Sequence, residues 1–401
     1  MIKFKILKAE DYCDSVRDGT HDSPQKTDSG YKLITSKHIK EYGLDLDSAY
    51  CISEKDFNKV NERSAVNIND ILYSMIGTIG LMYRVESQPN YAIKNMGLFK
   101  ISDEIKSKWL YYYLKSPKMQ NYIKSLLNGS TQQYITLSNL RQIPIEMPEN
   151  KGDMKKIIKV LDLIDKKIQI NTKTNDNLYE ITNKLYEQLF VIERQDDWKE
   201  YNLQELMDIS NGYSYTGKEL VDTSVVGMAT IKNFERTGGF KEEGFKDIEP
   251  IKAKDIHYAD KFDILVACTD LTQNADIIGN AIMLLNIGKY EKVVVSMDLV
   301  KILPKKNKYL VFSILNSKEF KNFALGYKTG TTVLHLNKNC FKDFHIKLPD
   351  FDKIENFENV VETNYKKISY NLEENNTLTK LRDTLLPKLM NGEIDLDKIG
   401  I

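Results

Sequence analysis

Few residue patterns in this chain have the spacing that catalysis requires. The segment GYSYTGKE, beginning at Gly212, has the GxxxxGK spacing of a phosphate-binding loop, but Glu219 stands where a Ser or Thr would bind magnesium. A carboxylate there would repel phosphate, so we do not expect ATP binding. Glu104 and Lys106 form an ExK fragment without a clear upstream Asp on a paired strand, and the five histidines show no metal-ligand spacing. We therefore expect no catalytic residue and no metal site on this chain.

Polar loops offer a different chemistry, because their hydroxyl, amide and basic groups suit hydrogen bonds to phosphates and base edges. The first half supplies them from Asp18 to Lys40, and the second half from Asn211 to Glu219 and from Ala229 to Gly239. Paired glycine loops, at Gly129 to Gln133 and Gly330 to Thr332, could also present amides and hydroxyls to phosphates. Taken singly, each residue could equally be an ordinary solvated loop side chain, so the hypothesis rests on the group. The candidate DNA contacts are Thr20, His21, Lys26, Ser36, Lys37, His38, Ser130, Thr131, Gln132, Tyr213, Tyr215, Lys218, Lys232, Asn233, Arg236, Lys328, Thr331 and Thr332.

The elements that must position these loops occur twice, at an offset of about 200 residues. GSTQQYITLSNLRQIPIEMP, from Gly129 to Pro148, aligns without gaps on GTTVLHLNKNCFKDFHIKLP, from Gly330 to Pro349. NMGLFKI from Asn95 matches SMDLVKI from Ser296 in the same order. These collinear matches indicate an internal duplication.

A helical segment with a heptad seam follows each repeat, over residues 152–193 and 352–391. Both seams carry two central asparagines, at Asn171 with Asn175 and at Asn371 with Asn375. In an antiparallel pair Asn171 would meet Asn375 and Asn175 would meet Asn371, whereas a shifted register would bury an amide against an aliphatic side chain. We therefore predict that the asparagines fix the register.

One layer of this predicted pair, Ile164 with Arg382, has no explanation in the sequence. We also expect Pro387 to disturb the second helix and Gly392 to end it. The alternative is that each helix is simply amphipathic and packs on its own domain.

The predicted fold class is α+β, with two mixed α/β domains in tandem and two long helices forming an antiparallel coiled coil with a pseudo-twofold internal repeat. Because a helix rises 1.5 Å per residue, about 36 residues would span roughly 54 Å, or one to two turns of B-DNA. The predicted boundaries are 1–150 for the first domain, 151–195 for the central helix, 196–350 for the second domain and 351–401 for the last helix and tail.

Composition limits the class of protein. Of 401 residues 41% are hydrophobic and 28% charged, which is typical of globular proteins, and no long apolar run or signal peptide is apparent. We therefore expect a cytoplasmic protein without membrane contact. The formal net charge is zero, so a DNA-binding chain of this composition must segregate its basic groups or use positive charge from a partner.

The repeated segments, each entering a long helix, resemble the specificity subunit of Type I restriction-modification systems. LRDTLLPKLMNGEID from Leu381, DGTHDSP from Asp18 and ACTDLTQNADIIGN from Ala267 resemble stretches of the same family. The resemblance implies a non-catalytic chain whose two target-recognition domains each read half of a bipartite DNA site. The helices would set the spacer.

The resemblance also implies partners and cofactors. Two methyltransferase subunits would dock on the helices and restriction subunits would join them, and S-adenosylmethionine, ATP and magnesium would be held by these partners rather than by this chain. A protein-interaction scaffold, with two β-rich domains on a coiled coil and no DNA, is the alternative from another class.

Overall fold

The computed structural model describes residues 2–40, 43–129, 133–236, 238–270, 272 and 275–394. The chain separates into two compact units, which we call unit 1 (Met1–Gln169 with Thr377–Ile401) and unit 2 (Ile170–Asn376). Each unit contains a mixed α/β domain together with part of both long helices.

Unit 1 begins and ends its α/β domain with strands that pair with each other. Its elements, in chain order, are β1 (Phe4–Lys8), α1 (Ala9–Tyr12), β2 (Ser15–Asp18), β3 (Tyr31–Ile34), β4 (Ile39–Lys40), β5 (Gly43–Leu44), β6 (Cys51–Ile52), α2 (Glu54–Ser64), β7 (Ile71–Ser74), β8 (Met82–Arg84), β9 (Tyr91–Ile93), β10 (Met96–Lys100), α3 (Glu104–Lys115), α4 (Pro117–Ser125), α5 (Leu137–Gln142) and β11 (Pro144–Pro148).

Two sheets carry this domain. The antiparallel sheet has the order β2-β10-β7-β8, and the smaller sheet has the order β6-β3-β9, in which β3 and β9 run parallel. Every residue of β7 is buried, which is why its first three residues, ILY, are all hydrophobic rather than alternating with polar residues. Trp109 of α3 is fully buried in the same core, and its Nε1 donates to the carbonyl of Glu146 at 2.9 Å.

Unit 2 repeats the plan with a few additional strands. Its elements are β12 (Lys199–Asn202), α7 (Leu203–Leu206), β13 (Met207–Asn211), β14 (Val226–Ala229), β15 (Lys246–Asp247), β16 (Tyr258–Ala259), β17 (Ile264–Ala267), β18 (Thr269–Asp270), β19 (Ala281–Met283), β20 (Lys292–Val295), β21 (Leu299–Pro304), α8 (Lys308–Asn316), α9 (Lys318–Leu325), β22 (Lys328–Thr329), β23 (Leu334–Leu336), α10 (Cys340–Asp343) and β24 (His345–Leu348).

The strand orders confirm the duplication that the sequence predicted. The antiparallel sheet β13-β21-β17-β19 corresponds to β2-β10-β7-β8, and the parallel pair β14 and β20 corresponds to β3 and β9. The closing pair β12 with β24 corresponds to β1 with β11. Since the same pairings recur in the same order, the two domains share one fold.

The two long helices are α6 (Lys151–Tyr186) and α11 (Phe351–Met390). Within unit 2 their asparagines pair as predicted: Asn171 Nδ2 donates to Asn375 Oδ1 at 2.9 Å, and Asn371 Nδ2 donates to Asn175 Oδ1 at 2.7 Å. Asn364 also donates to Thr182, at 3.2 Å. Each step forward along α6 is thus a step backward along α11, so the helices are antiparallel.

Within unit 1 the unexplained seam position has a partner. Arg382 Nη1 donates to Asp165 Oδ1 at 3.0 Å, and both side chains are buried. The arginine therefore does not face an aliphatic layer unpaired, because the neighbouring position on α6 supplies a carboxylate. Farther along, Leu386 and Leu389 pack in the same apolar core as Leu161.

The first helix ends differently from the prediction, whereas the second ends before Gly392 as predicted. The first segment leaves the α-helical pattern after Tyr186 and continues as a π-helical turn over Glu187–Ile192. Helix α11 runs through Pro387 to Met390, so the proline does not end it. Gly392 follows with a φ of +69°, the left-handed conformation that closes a helix. No described helix is both long and apolar enough to cross a membrane.

Candidate nucleic-acid interface

In unit 1 several candidate residues meet at the carboxyl end of the parallel pair β3 and β9. Thr20 forms a bridge with Lys94, the residue after β9, and Lys94 N donates to the carbonyl of Ile34, the last residue of β3. Ser36 and Lys37 follow β3 directly. The fold therefore gathers hydroxyl, amide and basic groups at one edge, and we call this the strand-end edge.

Unit 2 builds the corresponding edge from the same hydrogen bonds. Tyr213 bridges Ser296, the residue after β20, and Ser296 N donates to the carbonyl of Ala229 at the end of β14. The glycine before each bridging residue is required by the close approach of the backbones. A Cβ on Gly19 would lie 2.6 Å from the Ile93 oxygen, and one on Gly212 would lie 1.9 Å from the Ser296 oxygen.

A short capped turn presents a lysine at each edge. In unit 1 the Thr35 N–H donates to His38 Nδ1 at 2.9 Å, and in unit 2 the Thr230 N–H donates to Asn233 Oδ1 at 2.9 Å. Both turns are 3₁₀ helices that begin directly after a threonine, and each exposes its lysine, Lys37 or Lys232. The two lysines are thus equivalent. This equivalence was not predicted from the sequence, although the Thr-x-Lys spacing after an apolar strand is common to both segments.

Three candidate contacts must be corrected because the fold uses their polar groups internally. His38 is only 1% exposed, and Asn233 is fully buried and also donates to the Lys241 carbonyl at 2.9 Å. Tyr213 is buried, and its hydroxyl donates to Glu219. These side chains position the turns and are not available to DNA.

The phosphate-loop spacing is likewise structural. The Glu219 carboxylate accepts from the N–H of Ile251 at 3.0 Å, from the Tyr213 hydroxyl and from the N–H of Thr216 at 2.7 Å. These hydrogen bonds, in that order, lower the pKa of Glu219 from 4.5 to about 2. A carboxyl group with this pKa is ionised near neutral pH and would repel a phosphate group at this turn.

The remaining candidates are distributed unevenly. Thr20, His21, Ser36 and Lys37 meet at the edge of unit 1, whereas Lys26 lies exposed in the loop before β3. In unit 2 Lys218 and Arg236 are exposed and Tyr215 is half-buried. Exposed Lys328, Thr331 and Thr332 belong to β22 and the turn after it, in a separate sheet. Ser130, Thr131 and Gln132 lie outside the described residues.

A charged cluster that was not predicted from the sequence lies beside the edge of unit 1. Asp18, the last residue of β2, accepts from Arg63 Nη2 of α2, and its other oxygen lies 3.1 Å from His21 Nε2. The ring of His21 also contacts Asn95 Oδ1, at 2.9 Å from Nδ1. No sequence pattern marked Arg63, because 45 residues separate it from Asp18. Among the described residues no group of histidines, cysteines and carboxylates could hold a metal ion.

Comparisons with known proteins agree with this architecture. A model of the Type I restriction modification DNA specificity domain matches the chain twice, over residues 1–180 and 195–374. The MjaIX specificity subunit of Methanocaldococcus jannaschii, from a Type I restriction enzyme, is 23% identical over 321 residues, which cover 74% of this chain and 71% of that protein. The HindI specificity subunit of Haemophilus influenzae, also from a Type I enzyme, is 23% identical over 407 residues, which cover 83% and 88%.

A solved structure is similar over nearly its whole length. It is the S subunit of a Type I restriction-modification system from M. genitalium, with a TM-score of 0.58, 17% identity, and coverage of 97% of this chain and 96% of that one. At this identity the similarity shows the fold.

Proposed function

The chain belongs to the Type I restriction modification DNA specificity family, and from that premise we propose that each unit reads one half of a bipartite DNA site. The observation that supports this most directly is the duplicated strand-end edge. Both units place an exposed lysine on the same capped turn, at the carboxyl end of the same parallel strand pair. Exposed lysines at equivalent positions suit phosphate contacts that place each unit on its half-site.

Differences between the edges supply the second part of the proposal. The exposed His21 of unit 1 is replaced by the exposed Ser214 in unit 2, although the backbone hydrogen bonds of the residues before them, Thr20 and Tyr213, are the same. Because phosphate contacts carry no sequence information and side chains at base edges do, equal lysines with unequal neighbours fit two different half-sites. The bipartite site is therefore asymmetric.

The chain itself is non-catalytic in this proposal. Two methyltransferase subunits supply S-adenosylmethionine and the methylation chemistry, and restriction subunits supply ATP-dependent and magnesium-dependent steps. Their positive charge also compensates for the zero net charge of this chain when DNA is enclosed.

The long helices offer a surface for these subunits. On α6 in unit 2, Ile170 and Ile181 are 61% and 52% exposed, and they lie about three turns apart on one face. On α11 Tyr370 is 57% exposed. Such exposed apolar side chains are typical of positions that a partner covers. The double variant I170E/I181E should lose co-purification of the methyltransferase, whereas E180Q, at an exposed position of the same helix, should retain it.

The deciding experiment is methylation sequencing of a strain that carries the chain, compared with its deletion. A split motif that disappears on deletion and returns on complementation is the expected result. Unchanged methylation would reject the proposal. Partner binding without any DNA footprint, insensitive to salt, would instead favour a protein-interaction scaffold.

A further inference from the structure

A cleft of about 780 Å³ opens in unit 1 between helix α2 and the loop that follows β2. Residues 20–25 form the loop side, and Lys59 and Arg63 are on the helix side. Two carboxylates, of Asp22 and Asp56, also line it, but Asp56 accepts from the Ser53 hydroxyl at the start of α2. The cleft adjoins the strand-end edge because Thr20 belongs to both.

Asp18 holds the basic groups of this cleft in place. Its side chain is only 9% exposed, and a buried carboxylate requires charged or hydrogen-bonding partners. Arg63 Nη2 donates to one of its oxygens and His21 Nε2 lies 3.1 Å from the other. The end of α2 is fixed a second time, since Arg17 Nη1 donates to the Arg63 carbonyl at 2.9 Å.

Arg63 nevertheless presents most of its surface outward. Its side chain is 62% exposed although it is paired with Asp18. A guanidinium has five N–H donors, and among the described residues Asp18 is the only side chain that accepts from this one. Arg63 therefore offers a pre-positioned planar fork, which binds with less loss of side-chain entropy than a free arginine.

The equivalent strand end in unit 2 holds a different cation. Asn211 ends β13 as Asp18 ends β2, and its Oδ1 accepts from Lys338 Nζ. A lysine is a point charge, whereas an arginine fork can make two parallel hydrogen bonds. Both strand ends therefore accept a hydrogen bond from a basic side chain, but the arginine and the lysine differ in the hydrogen bonds that they can offer to a ligand.

Resting on the function proposed above, we propose that Arg63 reads a guanine in the half-site of unit 1, held in position by Asp18. Guanine O6 and N7 together accept the two parallel N–H groups of an arginine fork, and this is the commonest specific contact to a base. The exposed fork, the buried carboxylate behind it and the cleft that gives access are the three observations that carry this assignment. Unit 2, with Lys338 at its strand end, lacks the corresponding bidentate contact.

The test is methylation sequencing of strains in which a gene encoding the R63K variant replaces the chromosomal copy of the wild-type gene. R63K retains the charge and a hydrogen bond to Asp18 but loses the fork. One guanine position in one half of the motif should become degenerate, with discrimination at that position lowered roughly 5- to 100-fold. The other half should be unchanged. D18N weakens the interaction that holds Arg63 in place, so it should lower base discrimination at the same position to a smaller extent.

K118A is the matched control. Lys118 is 63% exposed and paired with Glu146, like Arg63 with Asp18, but it lies on α4. The K118A pattern should equal that of the wild type. Thermal melting of each purified variant separates loss of recognition from loss of folding.

Two results would overturn the assignment. If R63K and R63A, both folded, lower methylation equally at all sites without changing the motif, Arg63 contacts phosphate or only ties α2 to the sheet. If the motif does not change at all, Arg63 does not contact DNA. In both cases the wild-type split motif would survive, so the proposed function would stand. A wild-type chain without any motif would instead overturn both.

Discussion

His38 and Asn233 occupy the same place in two copies of one turn, and each accepts a hydrogen bond from the N–H of the threonine three residues earlier. Their difference has a consequence for stability. Burial, followed by the charge of Lys37, lowers the pKa of His38 below 6.5. Folded protein therefore keeps this ring neutral at a pH where the unfolded chain would protonate it.

The substitution H38N should remove that pH dependence and preserve the turn, because the asparagine amide can accept the same hydrogen bond. Stability from His38 is fully present above the unfolded pKa near 6.5 and is lost as pH falls toward the lower folded pKa. When the pH is lowered by about 2.5 units, from about 8 to about 5.5, the free energy of unfolding should therefore fall further for the wild type than for H38N. Denaturant midpoints at both pH values measure this.

H38A provides the contrast, since it leaves the Thr35 N–H without its acceptor and should cost about 1–3 kcal/mol at pH 8. H345N, at an exposed histidine of β24, serves as the control. If acidification lowered the unfolding stability of the wild type and of H38N equally, His38 would not have the role assigned to it.

The type of a residue did not indicate whether its side chain is accessible to DNA. Lys37 and Lys232 are exposed as a DNA contact requires, but His38, Tyr213 and Asn233 are not. A polar side chain can satisfy backbone groups of its own turn as readily as those of a ligand. Which of these it does depends on neighbours that the local sequence does not reveal.

At the scale of elements, the paired asparagines are the best test of the helix register. Asn371 is fully buried and donates to Asn175, so N371L alone should leave the Asn175 amide facing leucine. We expect a loss of about 1–3 kcal/mol for either single variant. The double variant N175L/N371L should recover most of it, because no amide remains unpaired.

Unfolding free energies of the four proteins in this double-mutant cycle give the coupling. Additive losses in the double variant would show that the two amides do not depend on each other, and the register hypothesis would then fail.

Disrupting the buried pair of Arg382 and Asp165 should lower the free energy of unfolding more than disrupting an asparagine pair does. R382L removes the partner of a buried carboxylate and should cost about 3–5 kcal/mol, whereas D165L/R382L should restore part of that. K184L is the control, since Lys184 and Glu180 form an exposed pair on the same helix and little change is expected. If R382L and K184L changed the denaturant midpoint equally, the buried pair of Arg382 and Asp165 would not have the stabilising role assigned to it.

At the scale of the whole molecule, the helices are proposed to set the spacing of the half-sites. Inserting one heptad after Asn171 and another after Asn371 places both insertions between the two amide pairs, so both pairs are kept. The helices lengthen by about 10 Å, which equals about three base pairs. The spacer of the methylated motif should grow by that number while both half-sites stay the same.

A heptad inserted in α6 alone is the control, because it separates amides that must pair and should destabilise the protein. A spacer that does not change in the folded double insertion would refute the proposed role of the helices.

The sequence by itself determined the duplication, the fold class and the pairing of the asparagines. These follow from period and spacing, since a heptad seam and a repeat are properties of the chain read in one dimension. It could not assign the Ile164 and Arg382 layer, because the partner of Arg382 is the carboxylate of Asp165, a seam neighbour that became visible only when the helices packed.

Only the tertiary structure decided which polar groups remain available. Gly19, Thr20 and Lys37 come together because β3 and β9 are parallel neighbours, and Arg63 reaches Asp18 because α2 packs on β9 and ends beside the last residues of β2. Such contacts join residues that are distant in sequence, and their energies depend on burial, which a linear pattern does not encode. The family could therefore be identified from the sequence, but the arginine that we assign to base recognition could not.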